Sequence, residues 1–357
     1  MQRRAHSSLL ALSILATAAA AAHAADPVGR AVSYLRSAQA EDGSFSPQLG
    51  PAVTGLVVTG LVKNGRSLED PMVAKGLGYL LKHAKPDGGI YSDNSKYQNY
   101  ETCIAIMTLA AANKDGRYDD QIAKAEAFVK DLQWDEDEAH DPSSMAYGGA
   151  GYGSHRRPDL SNTAFLMEAL QAGGTPADDP AMQKALEFVS RCQNLETEHN
   201  TTKYASMVND GGFYYTCAAG GSSQAGELEG GGLRSYGSMT YAGLKSMIYA
   251  GVGPDDPRVK AAQEWIAKNY ALDENPGMGT SGLYYYYHTF AKALATLGDA
   301  QLTGADGVTH DWRKELTEAL AKQQNEDGSW TNANERWLES DPNLSTAYAL
   351  VALSYCK

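Results

Sequence analysis

Two kinds of hydrophobic pattern alternate along the chain. The first places apolar residues on one side of a helix and polar residues on the other, which is typical of a helix on the surface of a domain. Four segments of this kind begin with Asp-Pro, where the aspartate can cap the helix and the proline has no N–H group to leave unpaired. They are DPVGRAVSYL, DPMVAKGLGYL, DPAMQKALEFV and DPRVKAAQEWI, and DQIAKAEAFVKDL and DWRKELTEALAKQ show the same alternation without the proline.

The second pattern is apolar around nearly the whole helix, which indicates a helix buried on all sides. Six segments show it: PAVTGLVVTGLV, NYETCIAIMTLAAA, DLSNTAFLMEALQA, GSMTYAGLKSMIYAG, YYYYHTFAKALATLG and NLSTAYALVALSY. A threonine stands near the start of each, where its hydroxyl can satisfy backbone groups of the first turn. These threonines are Thr54, Thr102, Thr163, Thr240, Thr289 and Thr346.

The alternation predicts two concentric layers of helices, with the apolar helices inside and the amphipathic helices around them. Six such hairpins that close on themselves give an all-α fold, an (α/α)6 toroid, and we expect residues 25–357 to form it as one domain. An open solenoid would need polar capping repeats at its ends. The last repeat, STAYALVALSYCK, is apolar to its end and therefore favours closure.

The connections between the helices of a unit also repeat. QAEDGSF at 39–45 and QNEDGSW at 324–330 share glutamine, glycine and an aromatic residue at the same spacing. Gln-x-x-x-Gly-x-Trp after an outer helix resembles the QW repeat of squalene and oxidosqualene cyclases, whose toroid is shared with the β subunits of protein prenyltransferases. Gln324, Gly328 and Trp330 match the motif in full, whereas Phe45 replaces the tryptophan after Gln39 and Gly43. The resemblance extends over nearly the whole chain in repeat form and implies the fold, but not the activity.

Residues that precede the six threonines are expected to surround the mouth of a central cavity. Four of them are candidate catalytic residues, either because they ionise or because they neighbour such a group: Glu101, His288, Tyr287 and Asp159. Glu101 is an ionisable residue at the start of an apolar helix, and histidine exchanges a proton near neutral pH. We expect the other cavity residues to bind a ligand: Tyr100, Ser161, Asn162, Tyr236, Met239, Tyr284 and Ser345. Capping and packing roles remain open for all of these residues.

The sequence departs from both related enzyme families at the residues that carry their chemistry. In squalene cyclases an Asp-x-Asp-Asp-Thr motif protonates the substrate, and the corresponding stretch here is Asp159-Leu160-Ser161-Asn162-Thr163. Neither serine nor asparagine is an acid strong enough to protonate an alkene. His288-Thr289 resembles the zinc histidine of protein prenyltransferases, but the other ligands would fall at about Tyr236 and Ser238. We therefore predict no metal site, no cofactor and neither of these standard activities.

Three classes of function remain. The first is a protein that binds a hydrophobic ligand, such as an isoprenoid, in a tyrosine-lined cavity, with catalysis unproven. The second is a cyclase or isomerase that uses a non-standard acid. The third is a secreted polysaccharide lyase-like enzyme that cleaves an oligosaccharide and uses Tyr287, His288, Asn162 and Arg157. Apolar inner helices favour a closed hydrophobic site, whereas the polar mouth favours a glycan.

The start of the chain predicts export. Residues 1–24 combine Arg3 and Arg4, an apolar stretch and the small-x-small site Ala22-His23-Ala24, as in a cleavable signal peptide. The stretch is too short for a convincing membrane span, so we expect a secreted or periplasmic protein without one. Removal of the two arginines changes the formal charge from −13 to −15, which disfavours nucleic acid as a partner. Export permits disulfides, and Cys192 with Cys217 is the most plausible pair.

Overall fold

The computed structural model describes residues 26–153 and 157–357, so the predicted signal peptide lies outside the described residues. Within these ranges, helices dominate and alternate between the two predicted kinds. The α-helices are, in chain order, α1 Pro27–Ala38, α2 Pro51–Lys63, α3 Pro71–Leu81, α4 Gln98–Ala112, α5 Asp119–Asp131, α6 Leu160–Gly173, α7 Pro180–Arg191, α8 Ala205–Val208, α9 Gly237–Tyr249, α10 Pro257–Lys268, α11 Leu283–Leu297, α12 Trp312–Gln323 and α13 Pro342–Leu353.

Short elements occupy some of the connections. The part of the chain that the structure describes has three 3₁₀ turns, at Pro47–Leu49, Glu136–Glu138 and Arg336–Leu338. Two two-residue strands, β1 Leu302–Thr303 and β2 Thr309–His310, pair in antiparallel fashion with Leu302 opposite His310. No helix of the described residues has the length and hydrophobicity needed to cross a membrane.

The Asp-Pro signals start helices as predicted. The carboxylates of Asp26, Asp70, Asp179 and Asp256 each accept a hydrogen bond from a backbone N–H group in the first turn of the following outer helix. These bonds satisfy donors that have no partner within the helix.

The inner helices form a closed ring. Each of α2, α4, α6, α9 and α11 packs against the next inner helix, and α13 packs against α2. The outer helices surround this ring and bury one face each against it. The all-α toroid predicted from the alternating patterns is therefore confirmed.

In four of the connections described, a glutamine joins the connection to the next outer helix. The Gln39 side-chain amide donates to the carbonyl oxygens of Gly43, at 3.0 Å, and Met72, at 2.9 Å. Gln324 makes the same pair of bonds to Gly328 and Pro27, which closes the outer layer between the last connection and α1. Gln133 and Gln193 do likewise, although their glycines lie 15 and 18 residues further along the chain.

The glycines of these connections are required by space as well as by conformation. Gly148 has a φ of +77°, and a Cβ atom there would lie 1.8 Å from the carbonyl oxygen of Lys184 in α7. No side chain fits such an approach of two backbones. The connection thus packs directly on the neighbouring outer helix.

Five of the six threonines hold the connection from the inner side. Each hydroxyl oxygen accepts a hydrogen bond of 2.9–3.1 Å from a backbone N–H group of the preceding loop. The threonines are Thr54, Thr102, Thr163, Thr240 and Thr346. Thr289 differs, because its hydroxyl donates to the carbonyl oxygens of Tyr285 and Tyr286 within its own helix.

The longest connection contains the predicted cysteine pair. Cys192 and Cys217 are buried free thiols whose Sγ atoms lie 4.0 Å apart. Their proximity agrees with the predicted partners, while the disulfide itself stays a prediction.

Candidate functional site

A cavity of about 410 Å³ lies at the N-terminal ends of the inner helices. All six of these helices contribute residues from their first turns or from the residue adjoining them. Of the described side chains in the lining, nine are aromatic: Tyr97, Tyr100, Tyr152, Phe165, Tyr215, Tyr236, Tyr285, Trp337 and Tyr348. The predicted tyrosine-rich cavity at this end of the toroid is thus present in the structure.

Two pairs of hydroxyl groups in the described part of the lining bond to each other. The hydroxyl oxygens of Tyr100 and Tyr348 lie 3.0 Å apart, and Ser161 Oγ lies 2.9 Å from the Tyr285 hydroxyl. Burial raises the pKa of the Tyr100 and Tyr285 phenols, so both remain protonated at neutral pH. The pairs present aromatic surface to the cavity while their hydroxyl groups are satisfied.

Among the described residues, two carboxylates line the cavity, and both hold backbone in place. Glu101 accepts a bond of 2.9 Å from the backbone N–H of Ser92 in the preceding loop. Glu339 accepts from the backbone N–H of Tyr285, at 2.8 Å, and from the side-chain amide of Asn332, at 2.7 Å. Burial raises the pKa of each carboxyl, and these hydrogen bonds oppose that effect.

The four consecutive tyrosines of α11 point in different directions. Tyr285 lines the cavity, whereas the hydroxyls of Tyr286 and Tyr287 donate to the carbonyl oxygens of Ala271 and Leu272 in the preceding loop. Tyr287 also accepts from Gln323 of the outer layer, at 2.7 Å. Tyr284 points toward Thr331. The expectation that Tyr284 and Tyr287 face the cavity was therefore wrong, because successive helical residues turn by about 100°.

His288 lies beneath the cavity lining rather than in it. The side chain is 1% exposed, and its ring centroid stands 5.2 Å from that of Tyr348 and 6.3 Å from that of Phe165. Nδ1 has no hydrogen-bond partner among the described residues. Burial, assisted by the charge of Lys292, holds the pKa of His288 well below its usual range, so the imidazole is neutral.

Asp159, Asn162 and Ser345 lie behind the lining and serve the backbone. Asp159 caps α6, accepting bonds from the backbone N–H and the side-chain amide of Asn162 at 2.9 Å and 2.8 Å. Burial raises the pKa of Asp159 to about 6. Ser345 donates to the carbonyl oxygen of Glu339, at 2.6 Å, and so holds the loop that precedes α13. Of the predicted site residues, the cavity brings together Tyr100, Glu101, Ser161, Tyr236 and Met239.

A charge cluster in the centre of the toroid was missed by the sequence analysis. We define the charge cluster as Glu168, Lys245 and Lys292, which are all buried. Glu168 Oε2 lies 2.5 Å from Lys245 Nζ, and its Oε1 contacts Lys292 Nζ. Burial opposes the ionisation of Glu168, but the two lysines outweigh it and hold the pKa of this carboxyl well below its usual range.

The sequence did contain a signal for this cluster. LMEAL, GLKSM and FAKAL each place one charged residue in a helix that is otherwise apolar on every side. Such a residue needs a partner inside the protein. On α11, Tyr285, His288 and Lys292 follow the spacing i, i+3, i+7, which places them on one face of the helix.

Comparison with known proteins finds one family match and similar solved structures. Residues 47–218 match the family described as squalene-hopene cyclase C-terminal domain. The type II terpene cyclase MstE from Scytonema is structurally similar, with 14% identity, 93% of this chain and 97% of that chain covered, and a TM-score of 0.52. A variant of the same cyclase with its substrate, geranylgeranyl dihydroxybenzoate, matches at 14% identity over 93% and 96% of the two chains, with a TM-score of 0.34. Among curated proteins, none matches the chain significantly.

These findings support the predicted resemblance to the squalene cyclase-like α/α-toroid family. At 14% identity, the similarity to the solved cyclase establishes the fold and leaves the activity to be argued from the cavity itself.

Proposed function

We propose that the chain, which has the squalene cyclase-like toroid fold, binds a hydrophobic ligand in the cavity at the N-terminal ends of its inner helices. The observation that carries this proposal is an aromatic-lined cavity of about 410 Å³. This volume falls in the range of small-molecule sites, which are mostly apolar with a few placed polar groups. An isoprenoid is the first class to test, because a type II terpene cyclase shares the fold.

The hydrogen bonds of the polar groups in the cavity lining favour ligand binding over catalysis. Glu101 and Glu339 are occupied by backbone N–H groups, and the Tyr100 and Ser161 hydroxyls are occupied by other hydroxyls. A general acid must reach the substrate atom that it protonates. These groups are committed to holding the cavity walls, which favours a site that encloses a ligand without transforming it.

The cyclase or isomerase alternative is favoured by one observation at Asp159. Its pKa is raised to about 6, and its carboxyl interacts with the side chain of Tyr215, which lines the cavity. This carboxyl is mostly ionised at neutral pH, but in mildly acidic solution it is protonated and can serve as the acid for an activated substrate. Product analysis with isoprenoid epoxides, comparing wild type with Asp159→Asn, tests this alternative.

No observation supports the oligosaccharide alternative. Tyr287 faces the outer layer, His288 lies under the cavity lining, and Arg157 extends toward Ser222 at 3.2 Å. The residues that would have to act together are therefore held by different neighbours.

A binding experiment with matched variants tests the proposal. Trp337 lines the cavity and is 41% exposed, so its fluorescence can report titration with geranylgeraniol or with linear hexadecanol. Ala52→Phe fills the cavity and should weaken binding about tenfold or more, whereas Ala127→Phe adds the same ring at an exposed position on α5. Absence of binding, or equal binding by both variants, would overturn the proposal. Tighter binding of hexadecanol would retain a hydrophobic ligand but remove the isoprenoid class.

Export is a separate part of the proposal. The signal-like residues 1–24 support it. N-terminal sequencing of the chain recovered from the periplasm or the medium should begin at Ala25, and recovery of the full chain inside the cell would count against it.

A further inference from the structure

The charge cluster contains one negative and two positive side chains. Among the described residues, the ion pairs of Lys245 and Lys292 both end at Glu168. One positive charge is therefore in excess at a buried position, where an uncompensated ammonium group is unfavourable. A lysine in such surroundings, next to a second cation, is stabilised as the neutral amine, which is nucleophilic.

The cluster lies below the cavity on the same side of α11. Tyr285 lines the cavity, His288 follows one turn later, and Lys292 lies about 10 Å further along the axis than Tyr285. Long helical side chains lean toward the N-terminus of their helix, which here is the cavity end. Phe165, a lining residue one turn before Glu168, stands with His288 between the cavity and the cluster.

His288 adds a buried ring nitrogen, Nδ1, that has no hydrogen-bond partner among the described residues. It has none there although His288 and Lys292 are four residues apart on one helix face. A buried orphan of this kind needs an explanation. A polar atom of a ligand bound in the cavity would be the hydrogen-bond partner that Nδ1 lacks.

We propose that Lys292 is a carbonyl-reactive lysine, and that the aldehyde or ketone group of a hydrophobic ligand held in the cavity condenses with its Nζ atom. The neutral amine attacks the carbonyl carbon and a C–N bond forms; the C–O bonds then break, and the oxygen leaves as water with the two amine protons, which gives an imine. Protonation of the imine nitrogen yields an iminium ion, which replaces the ammonium group as a partner of Glu168. This inference rests on the proposed function, because the cavity must first hold the ligand.

The titration of Lys292 agrees with this chemistry. Burial and the charge of Lys245 lower the pKa of Lys292, Glu168 opposes the shift, and the resulting pKa is about 8. The charged or titratable groups that face it are Glu168 of α6, Lys245 of α9, His288 of α11 and Lys63 of α2. Adduct formation should thus accelerate as the pH rises toward 8, well below the usual range for lysine.

Reductive trapping with an aldehyde and its matched alcohol tests the inference. The full chain is incubated with farnesal and sodium cyanoborohydride near neutral pH, and the adduct is located by intact mass and peptide mapping. We expect one adduct, at Lys292, and its loss in Lys292→Met. Labelling confined to exposed lysines such as Lys260, at the same rate in both proteins, would overturn the inference.

Two variants distinguish a reactive site from a merely accessible one. Lys245→Met leaves Glu168 paired with Lys292 alone, so it should slow labelling of Lys292 about tenfold near neutral pH, although the reacting residue is intact. Phe165→Ala opens the cavity toward the cluster and should accelerate labelling. Unchanged rates in both variants would contradict the geometry on which the inference stands.

The alcohol separates this inference from the proposed function. Farnesol that binds in the cavity while farnesal leaves Lys292 unmodified would refute the reactive lysine and retain hydrophobic-ligand binding. Failure of farnesol to bind, together with labelling of Lys292 by the small aldehyde propanal, would refute cavity binding and retain the reactive amine.

Discussion

The fifth inner helix differs from the other five in how its start is held. In the others, a threonine hydroxyl accepts from a loop N–H group, as Thr346 does from Trp330 at 3.0 Å. In α11, Thr289 bonds only to carbonyl groups of its own helix among the described contacts. Glu339 of the next unit caps this helix instead, and the hydroxyls of Tyr286 and Tyr287 fix the preceding loop.

The same helix contains the residues with the most unusual surroundings. Tyr285 lines the cavity, His288 has an unpartnered Nδ1, and Lys292 belongs to the charge cluster. In the other five inner helices, the same threonine-to-loop hydrogen bond holds the start of the helix. In α11, residues that have no equivalent in the other units hold it instead. Departures from local rules tend to concentrate where a protein acts.

The largest expected effect comes from the charge cluster that joins α11 to α6 and α9. Glu168→Leu leaves Lys245 and Lys292 buried without a counter-ion, so we expect a loss of about 3–5 kcal/mol in the free energy of unfolding. Urea denaturation at neutral pH measures it. The triple variant Glu168→Leu, Lys245→Met, Lys292→Met removes all three charges and should recover most of the loss. A triple variant as unstable as the single one would show that packing, not charge, decides the cost.

Low pH should remove the stabilisation that the ionised Glu168 side chain provides. The pKa of Glu168 is held below its unfolded value of 4.5, so the stabilisation by its charge is present above that pH and is lost as the pH falls through the folded pKa. The difference in unfolding free energy between wild type and Glu168→Leu should therefore shrink as the pH falls below 4.5. A difference that is independent of pH would contradict the role assigned to the carboxylate.

Glycine substitutions compare a regular connection with the irregular one. At Gly148 a Cβ atom would lie 1.8 Å from a backbone oxygen, so Gly148→Ala should cost about 3 kcal/mol through both clash and left-handed strain. Gly282, with a φ of +66°, would meet the Trp337 ring at 3.0 Å, and that ring can move. Gly282→Ala should cost about 1 kcal/mol. Thermal unfolding of the two variants shows which substitution destabilises the protein more. Equal losses of stability would show that the two glycines are equally constrained.

The cap supplied by Glu339 is expected to have an intermediate effect. Glu339→Gln loses a charged acceptor for the N–H of Tyr285 and directs amide hydrogens toward other donors, at a cost of about 2 kcal/mol. Hydrogen exchange should show increased opening at the start of α11 and little change at α4. Uniform loss of protection across both helices would argue against a local cap.

Much of the architecture could be predicted because it is local. The alternation of amphipathic and apolar helices, the Asp-Pro caps and the first-turn threonines each depend on residues within a few positions, and all three recur in the structure. The roles of Gln133 and Gln193 could not be predicted, because insertions separate each glutamine from its glycine. The glutamine-to-glycine spacing of the motif is lost there, although the hydrogen bond is kept.

The site was harder to predict, because it depends on which way a side chain points from its helix and on how deeply it lies in the core. Tyr284 to Tyr287 are chemically alike, and one step of about 100° decides whether a ring faces the cavity or the outer layer. Sequence also places Glu339 in a loop with no sign that it caps the neighbouring unit. The depth of His288 below the cavity follows from packing against Phe165 and Tyr348, which lie on other helices.

The smallest expected effect tests the threonine contrast directly. Thr346→Val leaves the buried N–H of Trp330 without its acceptor, which should cost about 1–2 kcal/mol. Thr289→Val removes only a donor to carbonyls that already belong to the helix, so its cost should be within about 0.5 kcal/mol. Both hydroxyls are buried and the substitution is nearly isosteric, so urea denaturation compares the two hydrogen bonds rather than volume. Equal costs for Thr289→Val and Thr346→Val would mean that the threonine of α11 stabilises the fold as much as that of the other inner helices. The separate dependence of α11 on Glu339 and the tyrosines would then be refuted.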